Sequence, residues 1–203
     1  MDFITQIKGH TLEFVDDGHI YLVDGEIVPS ITQILKCKHS DKYSDVAPSV
    51  LARAAEKGIA LHNAIEDYNN FGTESDLPEF RNFLFLKRQY KFEVLESERP
   101  LILFCEGKPV AAGRCDMVIN MNGQLGICDI KRTSALDKIY LADQLNLYRL
   151  AMKQSFGFEA DFLRGIHLRE DVRKFVPIPI NEDMAQQIIK DYLEGKYDTE
   201  NQQ

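Results

Sequence analysis

At 203 residues, with 44% hydrophobic and 28% charged side chains, the chain has the make-up of one globular domain with a substantial core. It holds no apolar run long enough to span a bilayer and no signal-peptide pattern, so the expectation is a cytoplasmic protein with no membrane partner. The net charge of −8 is not the basic footprint of most nucleic-acid-binding surfaces, although carboxylates that hold a cation also count as negative in that sum.

Two Asp-Gly turns, Asp17-Gly18 and Asp24-Gly25, separate the apolar runs 12–15, 20–23 and 27–28 and predict a small β-meander over 10–28. His10 and His19 fall there as surface or strand residues. Ser30 stands as the N-cap of a helix, with Gln33 completing a capping box. The polar stretch 36–45 reads as a loop. Val50, Leu51, Ala54, Ala55, Leu61, Ile65 and Tyr68 recur at helical spacing and predict a helix over 48–70, with His62 and Glu66 sharing a face. A second helix is expected over 79–93, with Phe80, Phe83, Leu84, Leu86 and Tyr90 toward the core and a basic end at Lys87, Arg88 and Lys91. Strands follow at 98–104 and 110–120 around a turn at Glu106-Gly107-Lys108. A helix over 136–156 ends at Gly157. Strands at 162–168 and 174–180, a helix over 182–193 and a polar tail complete the chain. With no repeats or linkers, a single domain over 1–203 is expected: meander to 30, helical part 31–95, core 96–180, helix and tail 181–203. Late alternation of strands and helices points to an α/β fold with a mixed sheet.

The chemistry concentrates between Gly113 and Thr133. Asn122-Gly123 suits a type I′ hairpin, since both residues tolerate positive φ. A two-residue loop sets Asp116 directly opposite Asp129, with Cβ atoms roughly 5 Å apart. Lys131 shares their face, about 7 Å further along the strand, with Arg114 opposite it. Two carboxylates this close repel, and a hard divalent cation between them removes the repulsion. Cys115, Met117, Ile119, Cys128 and Ile130 form the other, core-facing side. Val118, Leu125 and Ile127 cover the carboxylate side near the turn. The four cysteines, at 37, 105, 115 and 128, lack CxxC spacing and read as free thiols of a reducing compartment.

Gly113-Arg114-x-Asp116 followed by Asp129-Ile130-Lys131 resembles the PD-(D/E)XK nuclease superfamily, nearest to its RecB-like and lambda-exonuclease-like branch with many phage-encoded members. The phrase VDGEIVPSITQIL is similar to the opening of such phage proteins. GIALHNAIEDY resembles the Gly-x-x-x-His helix of RecB-like members, and Gln144-x-x-x-Tyr148 their Gln-x-x-x-Tyr motif. The resemblance implies a restriction-endonuclease-like core, a mixed β-sheet flanked by helices, with the meander and two helices added. It makes Asp116, Asp129 and Lys131 catalytic. His62, Asp116, Asp129 and the Ile130 carbonyl become ligands of one or two Mg²⁺ or Mn²⁺ ions. Glu98, ahead of Glu96, corresponds to a glutamate often found near the metal, and Glu66 stands as a supporting partner of His62. Gln144, Tyr148 and Arg114 would position DNA. Arg132 stands where the family often has threonine. No cysteine follows Cys128, so no iron–sulfur cluster is expected.

The function expected on this basis is a metal-dependent deoxyribonuclease, foremost an exonuclease on DNA ends in phage-type recombination, replication or repair, located in the host cytoplasm if phage-encoded. A structure-specific endonuclease and a catalytically silent DNA-binding protein are the alternatives. Partners expected are DNA, as double-stranded ends or single strands, a recombination or single-strand-binding protein, and further copies of the chain.

Overall fold

The computed structural model describes residues 2–40 and 47–197. Turn chemistry shapes the N-terminal part. Strands β1 (Phe3–Ile7), β2 (His10–Val15), β3 (Ile20–Val23) and β4 (Glu26–Val28) form one antiparallel sheet in chain order. β1 lies ahead of the expected meander. The Lys8-Gly9 turn that joins it to β2 takes φ of 52° and 84°, a lysine doing what Asn or Asp usually does. Ser30 caps α1 (Ile31–Lys38) as expected: its Oγ accepts the Gln33 N–H at 3.0 Å, and Gln33 Oε1 accepts the Ser30 N–H at 2.6 Å. The helix runs on to Lys38, into the stretch read as a loop; residues 41–45 of that stretch lie outside the described residues. Asp143 of a later helix explains the extension, binding Lys38 Nζ at 2.7 Å and His39 Nε2 at 2.8 Å.

The second sheet has five strands in chain order: β5 (Phe92–Cys105), β6 (Lys108–Met121), β7 (Gln124–Lys131), β8 (Phe162–Leu168) and β9 (Arg173–Ile178). Every pairing is antiparallel except β7 with β8, which the crossover helix α4 (Lys138–Phe156) makes parallel. Asp137 caps α4, and Gly157 closes it in the left-handed conformation at φ 68°. α3 (Pro78–Tyr90) stops because Lys91 turns left-handed at φ 52°, so β5 begins six residues earlier than expected, at Phe92 rather than 98. The chain is thus a mixed α/β fold with two sheets and five helices.

The five-stranded sheet is covered on both faces. α1, α4 and α5 (Glu182–Leu193) bury Ile31, Leu145, Leu147 and Ile188 against Leu101, Val118, Ile127 and Leu163. α2 (Pro48–Phe71) and α3 bury Leu61, Ile65, Phe80 and Phe83 against Met117, Ile119, Cys128 and Ile130. The N-terminal sheet packs on Ile102, Phe104 and Ala112 and is stitched to β6 where the Ala112 N–H donates to the Pro29 carbonyl at 3.0 Å.

The packing also departs from expectation at Cys115 and in α2. Cys115 packs with the α4 cluster and not with Met117, on the stretch where β5 carries Glu98 at φ 50° and β6 is no longer paired with β7. The first half of α2 is not core: Leu61 and Ile65 are its buried residues, while Val50 stays 58% exposed. Its apolar spacing faces a cleft, not a neighbouring element. Cys115 and Cys128 are buried and all four thiols are free, and no described helix is long and apolar enough to cross a membrane.

Gly126 pairs with Phe162 across the parallel strands, and a Cβ there would run into the Phe162 ring. Gly126→Ala is expected to destabilise the fold by about 1–3 kcal/mol, since overpacking a filled site displaces its neighbours. A thermal melt checks this; an unchanged midpoint would contradict the packing.

Candidate metal centre

Asn122 and Gly123 take φ of 56° and 81° and make the two-residue turn, pairing Met121 with Gln124. The ladder then runs to Met117–Cys128 and stops. By alternation, the backbone groups of Ile130 point toward β6 and would carry the next rung. Side chains take them instead. The Ile130 N–H donates to Asp116 Oδ2 at 2.7 Å, and its carbonyl accepts from His62 Nε2 at 3.1 Å. The strands part where the two aspartates stand, and α2 reaches into the opening with His62.

That contact defines the imidazole. A carbonyl can only accept, so Nε2 carries a proton, and a ring with one proton keeps its lone pair on Nδ1. Nδ1 lies 3.6 Å from Asp116 Oδ2. Two acceptors facing each other call for a proton or a cation, and a histidine whose other N–H is held by a backbone carbonyl is the usual form of a metal ligand.

Glu98 completes the cluster from β5. Around it Ser97 pairs with Met117 and Arg99 with Cys115, which brings Glu98 alongside Asp116. A shift in register at Leu95 precedes it, and Glu98 itself takes φ 50°, a conformation that costs a non-glycine residue of order 1–3 kcal/mol and is found at functional sites. Donor atoms of His62, Glu98 and Asp116 all lie within 4.8 Å of one another. Glu96 points elsewhere and pairs with Arg99 at 2.5 Å. Glu66 lines the same cleft outside this cluster, its charge adding to the repulsion on Glu98. Burial first, then Asp116, push the Glu98 carboxyl up to about 7, against the pull of Arg114 and His62.

Asp129 and Lys131 form a separate, deeper pair. Lys131 Nζ lies 2.6 Å from Asp129 Oδ2 in a side chain 1% exposed, and Asp129 Oδ1 has no hydrogen-bond partner among the described residues. Burial raises the Asp129 carboxyl to about 6 although Lys131 draws it down. Burial works against the charge on Lys131, but Asp129 and Asp116 outweigh it and lift its pKa above the ordinary lysine value. The lysine is therefore a held cation. Arg114 does not join it: the guanidinium sits 3.4 Å from Glu98 and 4.8 Å above the Phe14 ring, so the N-terminal sheet holds it on the Glu98 side. Arg132 is drawn to α3, 2.6 Å from Glu79, and Thr133 Oγ1 is buried with no hydrogen-bond partner among the described residues.

On α4 the buried Gln144 donates from Nε2 to the Tyr148 hydroxyl at 3.2 Å, while Gln144 Oε1 has no partner among the described residues. Burial, then Asp129 and Asp116, push the Tyr148 phenol up, so it stays a donor. Gly113 lets β6 pass this ring closely, since a Cβ there would sit 3.3 Å from Tyr148. His62, Glu98, Asp116, Asp129, Lys131, Gln144 and Tyr148 all line one cleft of about 1760 Å³. Residues unremarked in sequence join it: Arg53 and Lys57 of α2, and Asp16 and Tyr21 of the N-terminal sheet. Contacts distant in sequence bring Asp16 and Tyr21 there, while Arg53 and Lys57 stand on the same helix as His62.

The donor set suits a hard divalent cation: one imidazole nitrogen and two adjoining carboxylates, all within 4.8 Å of one another. No known family profile and no curated protein matches the chain. A solved structure described as the crystal structure of SSO0001 aligns over 82% of this chain and 75% of its own, at 20% identity and a TM-score of 0.49.

The raised carboxyls give a pH signature. Between about pH 4 and 7 the unfolded chain has released protons that folded Glu98 and Asp129 retain, so metal-free stability falls as pH rises through that window. Melts in chelator should show a falling midpoint from pH 5 to 7.5, with Glu98→Gln flattening the fall. An identical pH slope in wild type and variant would contradict the assignment.

Proposed function

We propose that the chain is a divalent-metal-dependent nuclease on a restriction-endonuclease-like core of the PD-(D/E)XK type, hydrolysing phosphodiester bonds of DNA. One observation carries the reading: a His62–Glu98–Asp116 cluster and a buried Asp129–Lys131 pair open into the same cleft. His62, Glu98 and Asp116 would hold Mg²⁺ or Mn²⁺, with Asp129 lining the same cleft. Such an ion, when bound, supplies polarisation of the scissile phosphate and a more acidic water.

The remaining roles follow from the side chains themselves. Lys131, charged and fixed by Asp129, offers positive charge to a phosphate gaining negative charge, and it is better placed for that than for accepting a proton. Tyr148 donates and Gln144 Oε1 accepts, which orients a nucleotide or a water on the α4 side. Arg114 is a positioning residue: it holds the Glu98 carboxylate through one ion pair and is itself held over Phe14. Preference for DNA ends rests on the sequence resemblance.

Purified protein is to be incubated with linear and with closed circular DNA, in Mg²⁺, Mn²⁺ or chelator. Loss of the linear form alone, dependent on the cation, is the expected result; cutting of the circle would make the protein an endonuclease, and no cleavage of either overturns the proposal. Asp116→Ala or Asp129→Ala should abolish cleavage in a folded protein. Lys131→Met should slow single-turnover cleavage by about 100- to 1000-fold while DNA binding persists, the loss typical of one electrostatic donor. Near-normal turnover in that variant would leave Lys131 a purely structural partner of Asp129.

A further inference from the structure

Gly58 lies inside α2, one turn before His62, and nothing within the protein accounts for it. A glycine in a helix interior is less stable than an alanine. A Cβ built on Gly58 would meet no atom within 4 Å, so close packing does not demand its absence. The residue lines the cleft together with Ala54 and Ala55, which leaves a low strip of helix surface continuous with His62. Arg53 and Lys57 flank the strip, both exposed, and neither is engaged in an ion pair among the described residues. Val50 and Ile59 add apolar surface to the same wall, 58% and 60% exposed. Across the cleft stand two buried acceptors without partners, Gln144 Oε1 and Asp129 Oδ1.

We propose that this wall, from Val50 to His62, is a track for a single strand of nucleic acid running to the metal cluster. The inference deepens the nuclease reading and rests on it for the chemistry at the end of the track. Arg53 and Lys57 neutralise phosphates, a contact that needs positive charge and no base identity. Gly58 leaves room for the sugar–phosphate backbone to lie against the helix just before the cluster. Val50 and Ile59 meet base faces, which an unpaired strand presents and a duplex keeps stacked inside. In a chain of net charge −8, two unpaired cations on the wall of the acidic cleft mark the path for an anion.

The test measures binding of a fluorescein-labelled oligodeoxythymidylate, and of the same strand annealed to oligodeoxyadenylate, by anisotropy in Ca²⁺ buffer across a salt series. Gly58→Leu should melt no lower than wild type and keep its Mn²⁺ affinity, yet bind the single strand at least about tenfold more weakly, the scale of one lost stacking or backbone contact. Arg53→Gln with Lys57→Gln should reduce the slope of log affinity against log salt by about 1.4, two phosphates at about 0.7 each. Arg81→Gln, an exposed change outside the cleft, should leave that slope unchanged. Wild-type binding by the Gly58→Leu protein, or an unchanged slope in the double variant, would overturn the track while leaving metal-dependent cleavage intact. Tighter binding of the duplex would overturn the single-strand assignment. Displacement by polyglutamate at equal charge would give the wall to an acidic polypeptide instead. A wild-type protein that bound no nucleic acid would overturn both this inference and the nuclease reading.

Discussion

Three carboxylates, Glu98, Asp116 and Asp129, converge on one cleft, and the rest of the structure is arranged around their mutual repulsion. Each is balanced by a different part of the chain. Glu98 has Arg114, which the N-terminal sheet holds through Phe14. Asp116 has the Ile130 N–H, with His62 of α2 beside it. Asp129 has Lys131, one strand position beyond Ile130. Glu98 and Asp129 still hold protons more tightly than free carboxyls, first because they are buried and then because Asp116 adds its repulsion. The donor atoms of this set suit a divalent cation.

The opening between β6 and β7 makes this arrangement possible. A regular ladder past Met117–Cys128 would have consumed both backbone groups of Ile130. The ladder stops there, and the freed N–H and carbonyl orient Asp116 and His62. The same carbonyl settles which nitrogen of His62 faces the carboxylates. α4 closes the deep end with Tyr148 and Gln144, and the glycine at 113 allows that approach.

Much of this was legible in sequence, and the rest was hidden for identifiable reasons. Asn122-Gly123 announces its turn because both residues accept positive φ, and the register it sets holds as far as Met117–Cys128; the strands part there, so the pairing of Asp116 directly with Asp129 expected beyond it is not formed. The capping box at Ser30 and the stop at Gly157 are equally local and were readable, whereas Asp137, which caps α4, falls inside the helix expected over 136–156. Glu98 was harder. Its approach to Asp116 depends on a register shift at Leu95 and a strained φ, which tertiary contacts impose. Arg114 has Lys131 opposite it by simple alternation, but the stacking surface of Phe14 lies a hundred residues earlier in the chain and decides otherwise. The helical spacing of Val50, Leu51, Ala54 and Ala55 was real, yet spacing alone cannot say whether an apolar stripe meets a core or a cleft.

Diffraction from a Mn²⁺-soaked crystal at the manganese edge tests the central claim most directly. An anomalous peak in contact with His62 Nδ1 and the carboxylates of Glu98 and Asp116 is the predicted result. A bound ion with His62 turned away from it, or a saturated soak with no peak in the cleft, would contradict it.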